Sequence, residues 1–423
     1  MKTCRTDTAM PRVGPNFMIS GGAEGAFTAC PRRPRIALYS HDTMGMGHLR
    51  RNLLIAGSVA GQPLNAETLI VSGACEASYF SEKAGLDCVT LPSLHKNLCG
   101  QYTARNFDWS LERILFFRSR IISAALDCFQ PDVLIVDKVP RGIGNELEMV
   151  LKHLRRRGRT RCILGLRDVL DEPHVVRKEW NAAACDDAVE RYYDEVWIYG
   201  DSVVYDSVAE YGFSKTVADR ARFTGFLDQA ARLNGRLNQP PEPVDEPGHP
   251  LALCVVGGGQ DGFDLAAAFI RDGIPFGWTG VVITGPCMPP ADRFRLKHLA
   301  ADQPEIEVID RLVETDDWMR RATRVVAMGG YNTVTSILSF GKPALIVPRI
   351  KPRREQWIRA ERLQELGWTS VLSPEHLVSG AIRGWLETET VAVPDKCSIN
   401  LNGLQNISRQ LLSVFPEITA CPV

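Results

Sequence analysis

Between Thr323 and Trp357 the chain reads TRVVAMGGYNTVTSILSFGKPALIVPRIKPRREQW. The apolar run Val325 to Met328 has the character of a fully buried parallel strand. Gly329-Gly330 then turns the chain into a helix whose first residues are Asn332 and Thr333. That helix is expected to stop at Gly341, with Pro343 just beyond. A second buried strand, Ala344 to Val347, ends in Pro348-Arg349 and a cationic loop. A strand–glycine loop–helix–strand unit is the repeating piece of a parallel α/β sheet. Its loop presents backbone N–H groups at a helix N-terminus, which suits a phosphate.

The same rhythm runs along most of the chain. A strand at Arg35–Ser40 leads through His41-Asp42-Thr43-Met44-Gly45-Met46-Gly47-His48 into a helix from Leu49 to about Val59. Strands follow at Thr68–Ser72, Cys88–Leu91, Val133–Asp137, Cys162–Leu166 and Val196–Tyr199, with Phe223–Phe226 closing the series. One long helix is expected from Trp109 to Phe129, after a flexible approach. Five prolines between Pro240 and Pro250 mark a composition change, and such a stretch reads as a linker. Beyond it the rhythm restarts with a strand at Leu251–Val256 and the loop Gly257-Gly258-Gly259. Strands at Val281–Thr284 and Glu307–Ile309 and a helix at Asp316–Ala322 lead to the stretch described first. A helix at Glu355–Leu366, a strand at Thr369–Leu372 and a helix at His376–Leu386 come next, and Ser398–Phe415 has a helical pattern. The expected fold is therefore α/β, two Rossmann-like doubly wound domains facing a cleft. The division is a leader at 1–33, a first domain at 34–228, a linker at 229–250, a second domain at 251–396, and a C-terminal helix and tail at 397–423.

A chain of 423 residues is too long for one ordinary core, which agrees with two domains of roughly 150–200 residues. The net charge of −1 gives no case for nucleic acid, which calls for a broad basic face. The twelve cysteines are scattered without a CxxC pair. No disulfide framework or zinc site is expected, and a reducing cytoplasm fits. Nothing reaches the ~18 consecutive apolar residues of a spanning helix. The leader lacks the apolar segment of a signal peptide. The run LERILFFRSRII from Leu111 mixes basic and bulky apolar residues, as surface-docking helices do. The plainer reading is an amphipathic helix lying on its own sheet.

Candidate functional residues cluster at strand ends. Gly257, Gly258 and Gly259 follow a strand and precede a helix, so they form either a tight turn or a cradle for a pyrophosphate. Gly329 and Gly330 make a second such loop, and two loops converging at strand ends favour one ligand crevice. Asn332 and Thr333 are placed to cap a helix or to touch that ligand. Arg349, with Lys351, Arg353 and Arg354, is either a solvated charge run or the neutraliser of an anion. Gln356 suits hydroxyl recognition if it is not simply an exposed helix residue. In the first half, Gly45, Gly47 and His48 join a strand end to a helix start. That pattern leaves room for a substrate beside a group titrating near neutral pH, with Arg50 alongside. Asp137, Arg167 and Asp168 also end strands and face the same cleft, unless they pair as salt bridges. No tight acidic pair at a strand end suggests a metal, and no GxSxG nucleophile elbow occurs.

Over Pro34 to Val414 these residues resemble the GT-B glycosyltransferases, specifically the MurG-like family 28 group. The likeness is most specific in VIDRLVETDDWMRRATRVVAMGGYNTVTSI, GKPALIVPR and REQ, with HDTMGMGHLRRNLLIA and VVGGGQDG supporting it. The wording YSHDTMGMGHLRRN and GGYNTV resembles a branch of predicted glycosyltransferases. The resemblance implies that the backbone near Leu312 reads the nucleotide base and that Gly258 and Gly259 hold diphosphate. It places Asn332 and Thr333 against phosphate, Gln356 against sugar hydroxyls, and His48 at the reacting centre. Where the family has a ribose-binding glutamate, this chain has Ser336. A two-oxygen grip on the ribose is lost there, a change of about 1–3 kcal/mol in donor affinity.

The implied activity is transfer of a sugar, with inversion, from a UDP-linked donor such as UDP-GlcNAc to an acceptor hydroxyl in glycoconjugate synthesis. The partners implied are the nucleotide-sugar donor and an acceptor of unread identity, lipid-linked carriers being among the candidates. No cofactor or metal is expected, since helix N-termini with Arg349 and Lys351 offset charge on the departing diphosphate. The expected location is the cytoplasm, with peripheral contact at the inner face of the membrane as a further option. A UDP-sugar 2-epimerase and a non-catalytic nucleotide-sugar sensor are the alternatives, the latter motivated by Ser336.

Overall fold

Each half of the chain builds one parallel sheet from the apolar runs that the sequence displays. The first sheet uses β1 (Arg35–Ser40), β2 (Glu67–Ser72), β3 (Asp87–Thr90), β6 (Val133–Asp137), β7 (Arg161–Arg167), β8 (Glu195–Tyr199) and β9 (Ala221–Phe223). They lie in the order β3-β2-β1-β6-β7-β8-β9. Between β3 and β6, β4 (Leu94–Lys96) and β5 (Tyr102–Ala104) pair as a separate antiparallel ribbon. The second sheet uses β10 (Leu251–Val255), β11 (Thr279–Ile283), β12 (Ile306–Ile309), β13 (Arg324–Ala327), β14 (Ala344–Ile346) and β15 (Ser370–Val371). Its order is β12-β11-β10-β13-β14-β15. The computed structural model describes residues 32–42, 46–96, 102–233, 249–310, 315–389 and 398–416. Gly45, Leu312, the leader up to residue 31 and most of the proline-rich stretch lie outside the described residues.

In each sheet the order reverses direction once, between β1 and β6 and between β10 and β13. At such a switch point the connections leave the strand ends on opposite faces and open a crevice. Ile36, Leu38, Val133 and Ile135 from one sheet and Leu253, Val255, Val325 and Ala327 from the other belong to one continuous apolar cluster. Separate clusters cover the far face of each sheet, with Leu134 and Leu164 in one and Cys254 and Val282 in the other. The described residues from Arg33 onward form one compact unit.

The tail expected to be helical forms a helix at Gly403–Val414, and its packing was not legible in the sequence. It returns to the first half. Phe226 donates its N–H to Asn400 at 2.8 Å, and Asn406 Nδ2 donates to the Thr224 carbonyl at 2.8 Å. Three boundaries also differ from the sequence reading. The last strand of the first sheet is Ala221–Phe223, short of Phe226. The helix expected over His376–Leu386 is a 3-10 turn at Pro374–His376 and a helix at Ala381–Glu387. Gly380 separates them with φ +83, a left-handed conformation that ends helical geometry. The long helix is Leu111–Phe129, begun by Ser110, whose side chain accepts from the Arg113 N–H. Its Ile114, Ile122 and Leu126 are buried, as the plainer reading required, while Phe116 remains 65% exposed. Among the described residues no helix is long and apolar enough to cross a membrane.

Candidate active site

The Gly47–Ala60 helix starts at the β1 end, and Asp137 is the last residue of the neighbouring strand β6. Strand order alone therefore brings His48 and Asp137 together across 89 residues of chain. His48 Nδ1 makes a short hydrogen bond to Asp137 Oδ2. Arg51, one helical turn on from His48, donates Nε to Asp137 Oδ1 at 3.1 Å and Nη2 to Oδ2 at 2.7 Å. Asp137 and Arg51 are buried, at 0% and 1% exposure.

Burial pushes the Asp137 carboxyl up, but the charges of Arg51 and His48 outweigh it and hold the group far below the usual carboxylate range. Burial lowers His48, only partly opposed by Asp137. His41, whose ring centroid lies 4.8 Å away, is lowered further by burial and by His48. At neutral pH the site thus holds an ionised carboxylate and an uncharged imidazole. With Nδ1–H turned to Asp137, Nε2 carries the lone pair. An imidazole oriented by a carboxylate in this way can accept a proton from a hydroxyl.

The second rim is made mostly of backbone. Gly257 and Gly259 have φ +61 and +92, and a Cβ on Gly259 would stand 2.2 Å from the Thr284 carbonyl oxygen. Only glycine fits there. Gly258 and Gly330 have open space where a side chain would be, while Gly329 lies against the Gln356 backbone. The Tyr331–Phe340 helix follows with no side chain capping its N-terminus. Asn332 is not a cap: its Nδ2 donates to the Gly47 carbonyl at 3.0 Å, tying the Tyr331–Phe340 helix to the His48 loop. Gly47, Asn332, Thr333 and the two glycine loops thus meet at one crevice.

That crevice opens into a pocket lined by Arg50, Gly257, Ile283, Gly285, Asp316, Met319, Asn332, Thr333 and Ser336. Ser336 and Asp316 are both buried, at 5% and 3% exposure. The acid lining this pocket therefore comes from the start of the Thr315–Arg321 helix. In the sequence Asp316 figured only as the start of an expected helix and not among the candidate site residues.

The cationic loop is largely committed to carboxylates. Arg349 pairs with Asp261 at 2.9 Å and Glu355 at 2.7 Å. Arg353 pairs with Asp171 and Glu179, and Arg354 with Glu172, all three acids belonging to the first half. Gln356 is buried rather than exposed, and its Oε1 accepts from the Arg349 N–H at 3.1 Å. Asp168 is held bidentately by Arg359, at 2.7 and 2.6 Å, and Arg359 Nη1 donates to the Gly329 carbonyl at 2.8 Å. The Tyr331 ring lies between Arg51 and Arg359, 5.5 and 5.7 Å from their guanidinium carbons. Arg51, Tyr331 and Arg359 were not among the candidate residues of the sequence: Asp137 lies 86 residues from Arg51, and Tyr331 and Arg359 meet Arg51 and Asp168 of the other half. Among the described residues no group of three or more His, Cys, Asp or Glu side chains could hold a metal ion.

No protein-family model matches the chain, and no curated protein matches it in sequence. Solved structures match it in fold. The glycotransferase of kitacinnamycin has a TM-score of 0.58 at 15% identity, covering 92% of this chain and all 100% of the other. MurG of Acinetobacter baumannii has a TM-score of 0.52 at 12% identity, over 91% of this chain and 100% of the other. UDP-GlcNAc 2-epimerase of Neisseria meningitidis, bound to UDP-GlcNAc, has a TM-score of 0.58 at 11% identity, over 90% and 100%. The architecture is the two-domain, Rossmann-like GT-B fold. Likeness at these identities concerns the fold alone.

Proposed function

We propose that this chain transfers a glycosyl group from a UDP-linked sugar to an acceptor hydroxyl with inversion, in glycoconjugate synthesis. The observation that carries the reading is the His48–Asp137–Arg51 array at one switch point, tied through Asn332 to an uncapped helix N-terminus at the other. The donor's nucleotide fills the pocket beside Asp316 and Ser336, with its diphosphate against Gly257–Gly259 and the start of the Tyr331–Phe340 helix. His48 Nε2 takes the acceptor proton as the acceptor oxygen bonds to the anomeric carbon. The bond from that carbon to the phosphate oxygen breaks, and its electron pair leaves with the nucleoside diphosphate. Uncapped amide groups at the helix N-terminus meet the charge on the leaving group, so this reading assigns no metal.

A thermal-shift panel of UDP-, GDP-, dTDP- and ADP-sugars tests the donor, because a ligand that binds the folded state raises its midpoint by mass action. The largest shift is expected with the UDP sugars, and no shift with any member removes the donor reading. The epimerase-like neighbour motivates one rival. Incubating UDP-GlcNAc without acceptor yields the C2 epimer under that rival and none under glycosyl transfer.

A further inference from the structure

We propose that Lys138 and Arg167, side by side at the ends of β6 and β7, form a subsite for a phosphoryl group carried by the acceptor. This inference rests on the glycosyl-transfer reading and names the acceptor's chemical class. The two strands pair in parallel with Asp137 opposite Gly165, and the Lys138 N–H donates to the Gly165 carbonyl at 2.8 Å. Lys138 follows the orienting carboxylate Asp137 directly and takes a left-handed turn, φ +67.

Neither cation has an ion-pair or hydrogen-bond partner for its side chain among the described residues, and Arg167 Nε is sealed from solvent without an acceptor. Every nearby carboxylate is already engaged. Asp137 is held by Arg51 and His48, Asp168 by Arg359, Asp171 and Glu179 by Arg353, and Glu355 by Arg349. Two uncompensated cations thus lie at neighbouring strand ends, near enough for Arg167 and Arg353 to act on the Lys138 charge. Burial, then the charges of Arg167 and Arg353, push the Lys138 amine down to about 7, and burial lowers Arg167. An anion between them relieves both.

A phosphoryl group suits the pair better than a carboxylate. Its charge near −2 at neutral pH matches two cations. Its oxygens also serve a planar guanidinium and a point-like ammonium together. Both side chains arise from the first sheet beside Asp137, whereas the nucleotide pocket is lined chiefly by the second half. The anion is therefore assigned to the acceptor and not to the donor's diphosphate.

The test is calorimetric titration of the full chain with inorganic phosphate at constant ionic strength, the donor loops being filled with UDP. Wild type is compared with Lys138→Met and Arg167→Gln. Phosphate affinity is expected to fall at least tenfold in each variant, with UDP affinity unchanged. Phosphate binding that neither substitution weakens in protein still binding UDP overturns the proposal. Absence of phosphate binding to UDP-competent wild type does the same. If UDP itself does not bind, the donor reading fails, and the titration of the unliganded chain still decides this subsite. Should Arg167→Gln not fold, Lys138→Met and Lys138→Glu carry the test, the latter expected to abolish phosphate binding. Turnover with a soluble sugar phosphate and with a micellar prenyl phosphate then distinguishes the carrier, and preference for a neutral acceptor over both overturns the assignment.

Discussion

The two rims of the cleft are built from the same strand–loop–helix unit and are furnished in opposite ways. The β1–β6 rim carries titratable side chains, with His48, Asp137 and Lys138 all moved from their ordinary pKa values. The β10–β13 rim carries backbone amides and glycines, and Asn332 reaches away from its own helix to Gly47. One rim is suited to moving a proton, the other to holding charge that is already there. The ionic ties between them are the buried pair Arg359–Asp168, the part-buried Arg353–Asp171 and the exposed Arg354–Glu172.

The largest effect should come from spoiling the proton-moving rim. Asp137→Asn keeps the shape but removes the charge that orients His48 and pairs with Arg51. Turnover should fall by roughly 10³–10⁴-fold, by analogy with orienting carboxylates elsewhere, and steady-state kinetics reads it. The same pair links stability to pH. Because the folded Asp137 carboxyl lies below its unfolded value of 3.8, its contribution is present above pH 3.8. It is lost as pH falls below that value, so the acid limb of a urea-midpoint profile should flatten in the variant.

Breaking the tie between rims comes next. Arg359→Met leaves Asp168 charged and buried without its partner, a loss of about 3–5 kcal/mol. Chemical denaturation measures it, and a change under 1 kcal/mol would mean that the pair does not join the halves. Lys138→Met should have a smaller effect of opposite sign. The amine is lowered from 10.5 to about 7, so the unfolded chain binds the proton more tightly between those values. Wild-type stability should therefore rise with pH across that window, and the variant should lose roughly 1–2 kcal/mol of that rise.

How much was legible beforehand follows the same division. The glycine rim was read almost entirely, since Gly257–Gly259 and Gly329–Gly330 are local signals between an apolar strand and a helix. Gly341 ended its helix as expected, with φ +61. His48 was picked out at a helix start and Asp137 at a strand end, yet their union depends on β1 lying beside β6, which no local pattern encodes. Arg51 was legible only as a neighbour of His48, because its carboxylate lies 86 residues away. Arg353 and Arg354 read as a solvated charge run or as anion ligands for the same reason, their acids being more than 170 residues distant. Local geometry is written in composition and spacing, while charge pairing between halves is written only in the tertiary fold.

The most direct measurement of the central claim separates the rims in one variant. His48→Ala should bind UDP with unchanged affinity by calorimetry, while glycosyl transfer falls by roughly 10²–10⁴-fold. In wild type, turnover should hold steady from pH 8 down to about 6.5 and decline only below it, because burial keeps His48 uncharged there. Turnover that survives His48→Ala undiminished, with UDP still bound, would contradict the account.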